Sequence, residues 1–471
     1  MSDLKMEDIV SLCKRRGFIY QGSEVYGGLA GTWDYGPLGV TLKKNIMDLW
    51  WKMFVEDRED MYGVDAAILM NQKTWQASGH VDTFTDPLVE CSNCHGRFRE
   101  DKIDTSKCPT CGTKDSFGPA RQFNMMFKTQ VGPTAGTNRF VLDRSVLEKY
   151  LKLLDETGDN TIVSEVDDEN ISEVGSHTSY LRPETAQGIF TNYKNIVDSF
   201  SPNLPFGIAQ QGKAFRNEIS PRDFVFRSRE FEQMEIEYFV QESNWEEQFE
   251  KWRLLVHDWF KALGISEDKV HELEVPSDDL AHYSKRTIDF EYDYPHGKDE
   301  ILGLAYRTNF DLTNVQDYSG KNMQYRPKDG SEPFVPHVIE PSFGVERTVM
   351  AVLLNAYSED EVNGEKRIFL KLPVYLAPVK IAVSPLLKNK PELVKKAREV
   401  YDLLKKEFGN VMWDDNGNIG KRYRRQDEIG TPHCVVIDFD SLEDNTVTIR
   451  DRDTTDQKRV VIDELVSEIK L

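Results

Sequence analysis

The chain has 471 residues, 39 % hydrophobic and 11 % aromatic, with a formal net charge of −21. That length and apolar content suffice for two or three packed domains and argue against disorder. The longest apolar runs, such as VMAVLLNAY at 349–357, fall well short of the roughly 20 residues a membrane span needs, and the charge-alternating N-terminus lacks a signal segment, so a cytoplasmic location is expected. Acidity argues against a nucleic-acid partner, because phosphate contacts need Lys and Arg. The charge is uneven, however: residues 371–471 hold 18 Lys+Arg and 18 Asp+Glu, which leaves the whole excess on residues 1–370.

In chain order, the charged opening segment to Phe18 reads as a surface helix, and GSEVYGGLAGTWDYGPLG (22–39) is too rich in Gly and aromatics for a regular one. Residues 40–55 have helical spacing with Trp50 and Trp51, the mark of a core or a subunit interface, and VDAAILM (64–70) then reads as a buried strand. Residues 140–180 are acidic and polar and suggest an insertion or exposed arm. A hairpin is expected within 198–239 and an amphipathic helix at 245–263, followed by strands at 301–313 and 334–343 and a helix from Gly344 to Tyr357. YSEDEVNGEKR (357–367) reads as a loop with Pro373 and Pro378 beyond it, which puts a domain boundary near 370. After it come VKIAVSP, a helix at 391–408, VMWDD, a helix around 420–429, HCVVIDF, TVTIRD and a final helix, the pattern of a small α/β domain. Within that domain KRYRR (421–425), Arg450 and Arg452 form a basic group that is either a solvated face or a nucleic-acid contact.

Two cysteine pairs, Cys91-x-x-Cys94 and Cys108-x-x-Cys111, are thirteen residues apart. Four thiolates so spaced in a reducing compartment fit a tetrahedral structural zinc rather than disulfides. Four sulfur ligands leave no open position, so the ion would hold the fold rather than catalyse.

FRNEISPRDFVFRSREFEQMEIEYF (215–239) carries the densest chemistry. Read with the strand period of two, Arg229, Phe231, Gln233, Glu235 and Glu237 share one face, and Met234, Ile236, Tyr238 and Val240 the other. Upstream, Gln210, Gly212, Ala214, Arg216 and Glu218 share a face of the partner strand, with Ser220-Pro221-Arg222-Asp223 in the loop between. An antiparallel pair holding both signs of charge on one face suits a ligand that carries both signs.

This hairpin, the turn EPSFGVER (340–347) and the helix after Pro37 resemble motifs 2, 3 and 1 of class II aminoacyl-tRNA synthetases. TWDYGPLG (32–39), RPETAQGIF (182–190), FEQMEIEYF, PHVIEPSFGVER and GKRYRRQDEIGTP (420–432) further resemble the homodimeric glycyl-tRNA synthetases. The resemblance implies an α+β fold: an antiparallel-sheet catalytic core flanked by helices over 1–370, with the zinc-ribbon-like insertion, and an anticodon-binding α/β domain over 371–471. It implies ATP, magnesium, glycine and tRNA(Gly) as ligands, with a glycyl-adenylate intermediate and no membrane partner.

Carried over by position, the ATP site comprises Arg216, Asn217, Glu218, Phe226, Arg227, Ser228, Arg229, Glu230, Phe231, Glu300, Ile301, Gly344, Val345, Glu346 and Arg347. Arg216 would contact the α-phosphate, Arg347 the γ-phosphate and Arg227 the phosphates from the loop, with Glu218 on the adenine amino group, Phe231 stacked on the base and Glu300 near magnesium. The alternative for Arg347 is an ion pair with Glu346 or Asp360 on a helix surface. The glycine site comprises Arg99, Glu184, Phe231, Glu232, Gln233, Met234, Glu235, Glu340, Pro341, Ser342, Phe343 and Gly344, with Glu184, Glu235 and Glu340 around the ammonium. Glu237 and Arg222 receive no role, and solvent exposure remains open for both. The rival assignments are another class II synthetase, such as prolyl or threonyl, and a non-catalytic synthetase-like nucleic-acid-binding subunit.

Overall fold

The computed structural model describes residues 4–131, 139–142, 171–174, 178–362 and 364–469. The arm expected at 140–180 lies largely outside the described residues. Helix α1 (Met6–Arg16) buries Ile9, Leu12 and Cys13 along one stripe and ends at Gly17, whose φ of 78° is the left-handed cap geometry. Helix α2 (Pro37–Trp51) starts on proline and buries Leu42, Ile46 and Trp50 at four-residue spacing.

The elements that build the large sheet follow. They are strand β1 (Met61–Gly63), helix α3 (Ala186–Phe200), strands β2 (Phe206–Phe215) and β3 (Glu230–Val240), helix α4 (Trp245–Ala262), and strands β4 (Val270–Glu274), β5 (Arg286–Tyr294) and β6 (Gly297–Thr308). Helix α5 (Phe310–Ser319), strand β7 (His337–Gly344) and helix α6 (Val345–Ala356) complete the set. The sheet runs β4-β5-β6-β7-β3-β2-β1, antiparallel except for β1 against β2. Its apolar face, including Met234, Ile236 and Tyr238 of β3, packs on α4 through Phe249, Trp252, Val256 and Trp259 and on α2 and α6, forming the main core. The register aligns Gln210 with Glu235, Glu235 with Ser342, Ser342 with Gly303 and Gly303 with Asp289. One row of direct neighbours therefore crosses five strands on the opposite, polar face.

Three expectations fail here. VDAAILM is no buried strand: the edge rung passes from Met61–Gly63 to a single further bond, Val64 N–H to the Ala209 carbonyl. Beyond it the Ala66 carbonyl accepts from Arg182 Nη1 at 2.8 Å, which draws the backbone off the sheet edge, and Asp65, Ala67 and Leu69 are exposed. The stretch 301–313 is a strand only to Thr308, after which α5 begins. The charged segment expected as a loop is a hairpin, β8 (Tyr357–Val362) against β9 (Glu365–Leu370). Opposite charges meet across it, Asp360 directly opposite Arg367 and Glu359 diagonally against Lys366, which stabilises the pairing that the polar sequence hides.

The C-terminal sheet comprises β10 (Ile381–Pro385), β11 (Val411–Trp413), β12 (His433–Ile437), β13 (Thr446–Asp451) and β14 (Gln457–Val461), in the order β11-β10-β12-β13-β14. Helix α7 (Pro391–Phe408) supplies Leu393, Ala397, Val400 and Leu404 to a core separate from the first, and α8 (Ile419–Glu428) joins the sheet to β9. The final helix is a single turn, Leu465–Glu468.

Candidate active site

The polar face of the large sheet floors a cleft of about 410 Å³. At one end lie Glu184, Glu235, Glu340 and Ser342; at the other Arg216, Glu218, Arg227, Phe231, Glu300, Gly344 and Arg347, with Arg99 also at its wall. Period-two geometry explains which side chains are absent. Met234, Phe343 and Val345 face the core, whereas Ile301, though buried, lines the cleft together with Phe226, Ser228, Gln233 and Glu346. Glu230 and Glu232 point from the same opposite face, Glu230 to Lys213 at 2.7 Å and Glu232 to Lys43. Glu346 accepts the Glu232 N–H at 2.8 Å, and burial, offset by Lys43, pushes its carboxyl up to about 7. Arg229 ties the loop to the carbonyls of Ala30 and Glu218, and Asn217 donates its N–H to the Met125 carbonyl. Ser228 donates to the Val225 carbonyl, and Pro341 and Gln233 lie buried on β7 and β3.

Charge at the glutamate end does not balance. Glu235 accepts from Ser342 Oγ at 2.7 Å and from the Thr185 hydroxyl; burial, then neighbouring Glu184, raises its carboxyl. Glu340 accepts from Arg307 Nη1 at 2.6 Å, yet burial with Glu235 and Glu184 nearby outweighs the guanidinium and pushes it up to about 8. For Glu184 burial is outweighed the other way, and His80, Arg307 and Arg216 hold it well below the usual carboxylate range. Arg307 is itself buried, bonded to Asp311 through Nε at 2.8 Å and Nη2 at 2.9 Å, and lies 3.8 Å over the Tyr283 ring. Glu237, for which solvent exposure was left open, is fully buried, and neither carboxyl oxygen has a hydrogen-bond partner among the described residues. Burial, then neighbouring Glu340, raises its carboxyl above the ordinary carboxylate range. Arg307 is shared between Asp311 and Glu340, Glu184 has His80 beside it, and Glu235 accepts from hydroxyl and amide groups without an ion pair among the described residues, a carboxyl cluster that suits a bound ammonium.

The other end presents cations. The Arg216 guanidinium lies 5.2 Å from the Phe231 ring and 5.4 Å from Phe84, with Nε donating to the Pro183 carbonyl at 3.1 Å. Arg347, on the first turn of α6, pairs with neither Glu346 nor Asp360. Its Nη1 lies 3.0 Å from Glu300 Oε2 and donates to the Glu300 carbonyl, and the guanidinium covers the Phe226 ring at 4.5 Å. Asp289 neighbours Glu300 and Glu291; burial, then those charges, pushes it up to about 7. Hard carboxylate oxygens of Asp289 and Glu300 gathered beside a guanidinium are of the kind that suits a cation such as magnesium. Arg222, in the loop, is exposed apart from its contact with Asp223 at 3.2 Å.

His80, Asp289, Arg307 and Asp311 were missed from the sequence. The Arg307-x-x-x-Asp311 spacing was a weak signal; His80 offered none.

The four cysteine sulfurs lie within 4.8 Å of one another, with Cys91–Cys111 and Cys94–Cys108 both at 3.7 Å. A tetrahedron with metal–sulfur bonds of about 2.3 Å has edges of about 3.8 Å, so the thiols already stand at the spacing one ion requires. His95 turns instead to Glu90 at 3.2 Å. The basic group of the C-terminal sheet is largely engaged within the chain. Arg422 donates to the carbonyls of Pro385, Asp415 and Gly417, Arg424 bonds to Glu365 and the Lys366 carbonyl, and Arg425 grips Asp414. Arg450 grips Asp427. Arg452 reaches the carbonyls of Gly430 and Leu372, so none of these five is a simple solvated face.

Residues 167–356 match the tRNA synthetase class II core domain (G, H, P, S and T), and residues 380–471 match the anticodon binding domain. The fold is that of a solved prolyl-tRNA synthetase from Giardia lamblia in complex with prolyl-adenylate, with a TM-score of 0.64 at 14 % identity over 98 % of this chain and 74 % of that one. Fold and cleft together define a class II aminoacyl-tRNA synthetase, an ATP-using ligase. Over 99 % of its length the chain is 47 % identical to the glycine–tRNA ligase of Borrelia garinii subsp. bavariensis, 97 % of which is covered. It is 44 % identical over 98 % to that of Thermobifida fusca, with 96 % of that protein covered. The chain belongs to the glycine–tRNA ligase family.

Proposed function

We propose that this chain activates glycine with ATP in the sheet cleft and transfers the glycyl group to the 3′ end of tRNA(Gly). The observation that carries the assignment to this cleft is the buried Glu184, Glu235 and Glu340 group lining the same cleft as Arg216 and Arg347. The glutamates hold the ammonium, and the rigid walls around Cα leave no space for a methyl group, a stricter filter than an apolar pocket provides. The glycine carboxylate oxygen attacks the α-phosphorus, the bond to the bridging oxygen breaks and pyrophosphate leaves. A terminal ribose hydroxyl of tRNA then attacks the glycyl carbonyl and AMP leaves. No covalent enzyme intermediate is needed, so positioning and charge stabilisation supply the rate. Arg216 stabilises the charge growing on the α-phosphate, Arg347 and the positive N-terminus of α6 hold the γ-phosphate, Phe231 stacks on adenine and Glu218 accepts from its amino group. Magnesium, held by Glu300 with Asp289 alongside, would neutralise phosphate charge.

The sulfur spacing supports a structural zinc at Cys91, Cys94, Cys108 and Cys111. Separate hydrophobic cores support a division near residue 370 into catalytic and anticodon-binding parts. Exposed Val25, Tyr26 and Leu29, just before α2, support a homodimer through that region. Among the described residues no helix is long and apolar enough to cross a membrane, in keeping with a cytoplasmic site of action. The deciding experiment is amino-acid-dependent exchange of pyrophosphate into ATP across all twenty amino acids. Glycine alone should support it; folded protein with no exchange at all would favour the accessory-subunit alternative.

A further inference from the structure

Behind Glu184 stands a side-chain relay that no step above uses. His80 is buried, with Nε2 3.3 Å from Glu184 Oε2 and Nδ1 2.7 Å from Ser78 Oγ. The ring is fixed on every side. Trp75 meets it edge-on at 5.6 Å and Phe84 at 5.3 Å, and Asn124 reaches from a neighbouring strand to the carbonyls of His80 at 3.3 Å and Val81 at 2.8 Å. The preceding Gly79, at φ 80°, permits the turn that aims the imidazole inward.

Glu184 sets the tautomer, because an ionised carboxylate can only accept, while the Ser78 hydroxyl can donate or accept and so satisfies Nδ1 in either charge state. With a neutral ring, the serine hydroxyl donates to Nδ1, leaving the proton on Nε2. With a charged ring, Nδ1–H donates to Ser78 Oγ, whose own proton turns to the Trp75 carbonyl 3.4 Å away. In both states Nε2–H points at Glu184. The other carboxylate oxygen, Oε1, accepts from Gln187 Nε2 at 3.4 Å, and the same amide reaches Asp311 at 3.1 Å. Asp311 holds Arg307, which holds Glu340. The chain Ser78–His80–Glu184–Gln187–Asp311–Arg307–Glu340 therefore orients two of the three glutamates from opposite ends.

We infer that His80, braced at Nδ1 by Ser78, is a positioning residue for Glu184 and thereby for the amino group of the substrate. This rests on the assignment of Glu184 to the ammonium. Glu184 alone, held only by Gln187, could rotate about its terminal torsion; with His80 in place, Oε2 is occupied and the orientation is set. The effect falls on the amino-acid half of the reaction, because the ring stands behind Glu184 rather than among the groups assigned to ATP.

The test compares His80→Leu, His80→Gln, Ser78→Ala and Glu184→Gln in glycine-dependent pyrophosphate exchange on the full chain, with unfolding temperature measured alongside. His80→Leu removes the donor at similar volume and should raise the glycine KM about 10–100-fold, the scale of a lost hydrogen bond to a charged group. The ATP KM should stay within about twofold, a split that general loosening of the fold does not produce. His80→Gln returns an N–H near the Nε2 position and should recover most of the loss. Ser78→Ala, the mildest change, should raise the glycine KM about threefold by removing the hydrogen bond that braces the ring at Nδ1, and keeps the inference testable if His80→Leu does not fold. The inference is overturned if folded His80→Leu leaves the glycine KM unchanged, if Gln and Leu behave alike, or if Ser78→Ala has no effect. If Glu184→Gln also leaves the glycine KM unchanged, the fault lies in the assignment of Glu184. If Glu184→Gln raises it and His80→Leu does not, only the role of His80 fails.

Discussion

Both halves of the molecule bury arginines among carboxylates, with opposite outcomes. In the C-terminal part Arg450 makes two bonds to Asp427, at 2.8 and 2.9 Å, Arg367 adds a third at 3.3 Å, and carbonyls take up further guanidinium donors. There the charges are matched and the groups satisfied. In the cleft Arg307 serves both Glu340 and Asp311, while among the described residues Glu235 and Glu237 have no ion pair and Glu237 has no side-chain hydrogen bond. A closed network contributes stability and specifies one packing; an open one keeps a deficit that only a ligand can fill. The deficit, rather than the presence of buried charge, distinguishes the functional cluster.

Breaking the closed network should have the largest effect on the fold. Asp427→Ala strands Arg450 and Arg367 without their shared partner and should cost about 3–5 kcal/mol, read by denaturant titration, while glycine-dependent exchange persists below the unfolding transition. In the cleft, Arg216→Ala should slow exchange about 10²–10³-fold with tRNA retention on filters preserved; unchanged exchange would remove its assigned role. Glu235→Gln should raise the glycine KM about 10–100-fold without loss of stability, since a desolvated carboxylate is replaced by its neutral isostere.

The pH dependence sharpens the contrast further. Asp289 is raised from an ordinary carboxylate value to about 7, chiefly by burial and then by Glu300. Its favourable contribution is therefore complete below the ordinary carboxylate range and is lost as pH rises through about 7. Asp289→Asn should unfold at a higher temperature than the parent at pH 8, with the difference vanishing toward pH 4. The smallest change is expected for Glu237→Gln. Its carboxyl makes no hydrogen bond among the described residues, so exchange rates within about twofold of the parent are expected, and a large loss would show that its charge matters in the working enzyme.

Much of this was legible in the chain. Alternation over 229–240 separates the cleft face of β3 from its core face, because a strand converts sequence parity directly into side-chain direction. Helix α7 begins and ends at the expected residues, since Leu393, Ala397, Val400 and Leu404 mark its stripe and Pro391 its start. The paired cysteine spacing likewise anticipates four sulfurs within 4.8 Å. These features depend on neighbours a few residues apart. Pairing across the sheet decided the rest. Opposite charges made a hairpin of 357–370, Arg182 drew VDAAILM off the sheet edge, and distant segments delivered His80, Asp289, Arg307 and Asp311 to the carboxylates they govern. Burial and ionisation depend on everything that surrounds a group in space, so Glu237 reads as one more polar residue in the chain and only inside the folded sheet is its carboxyl buried and raised above the ordinary range.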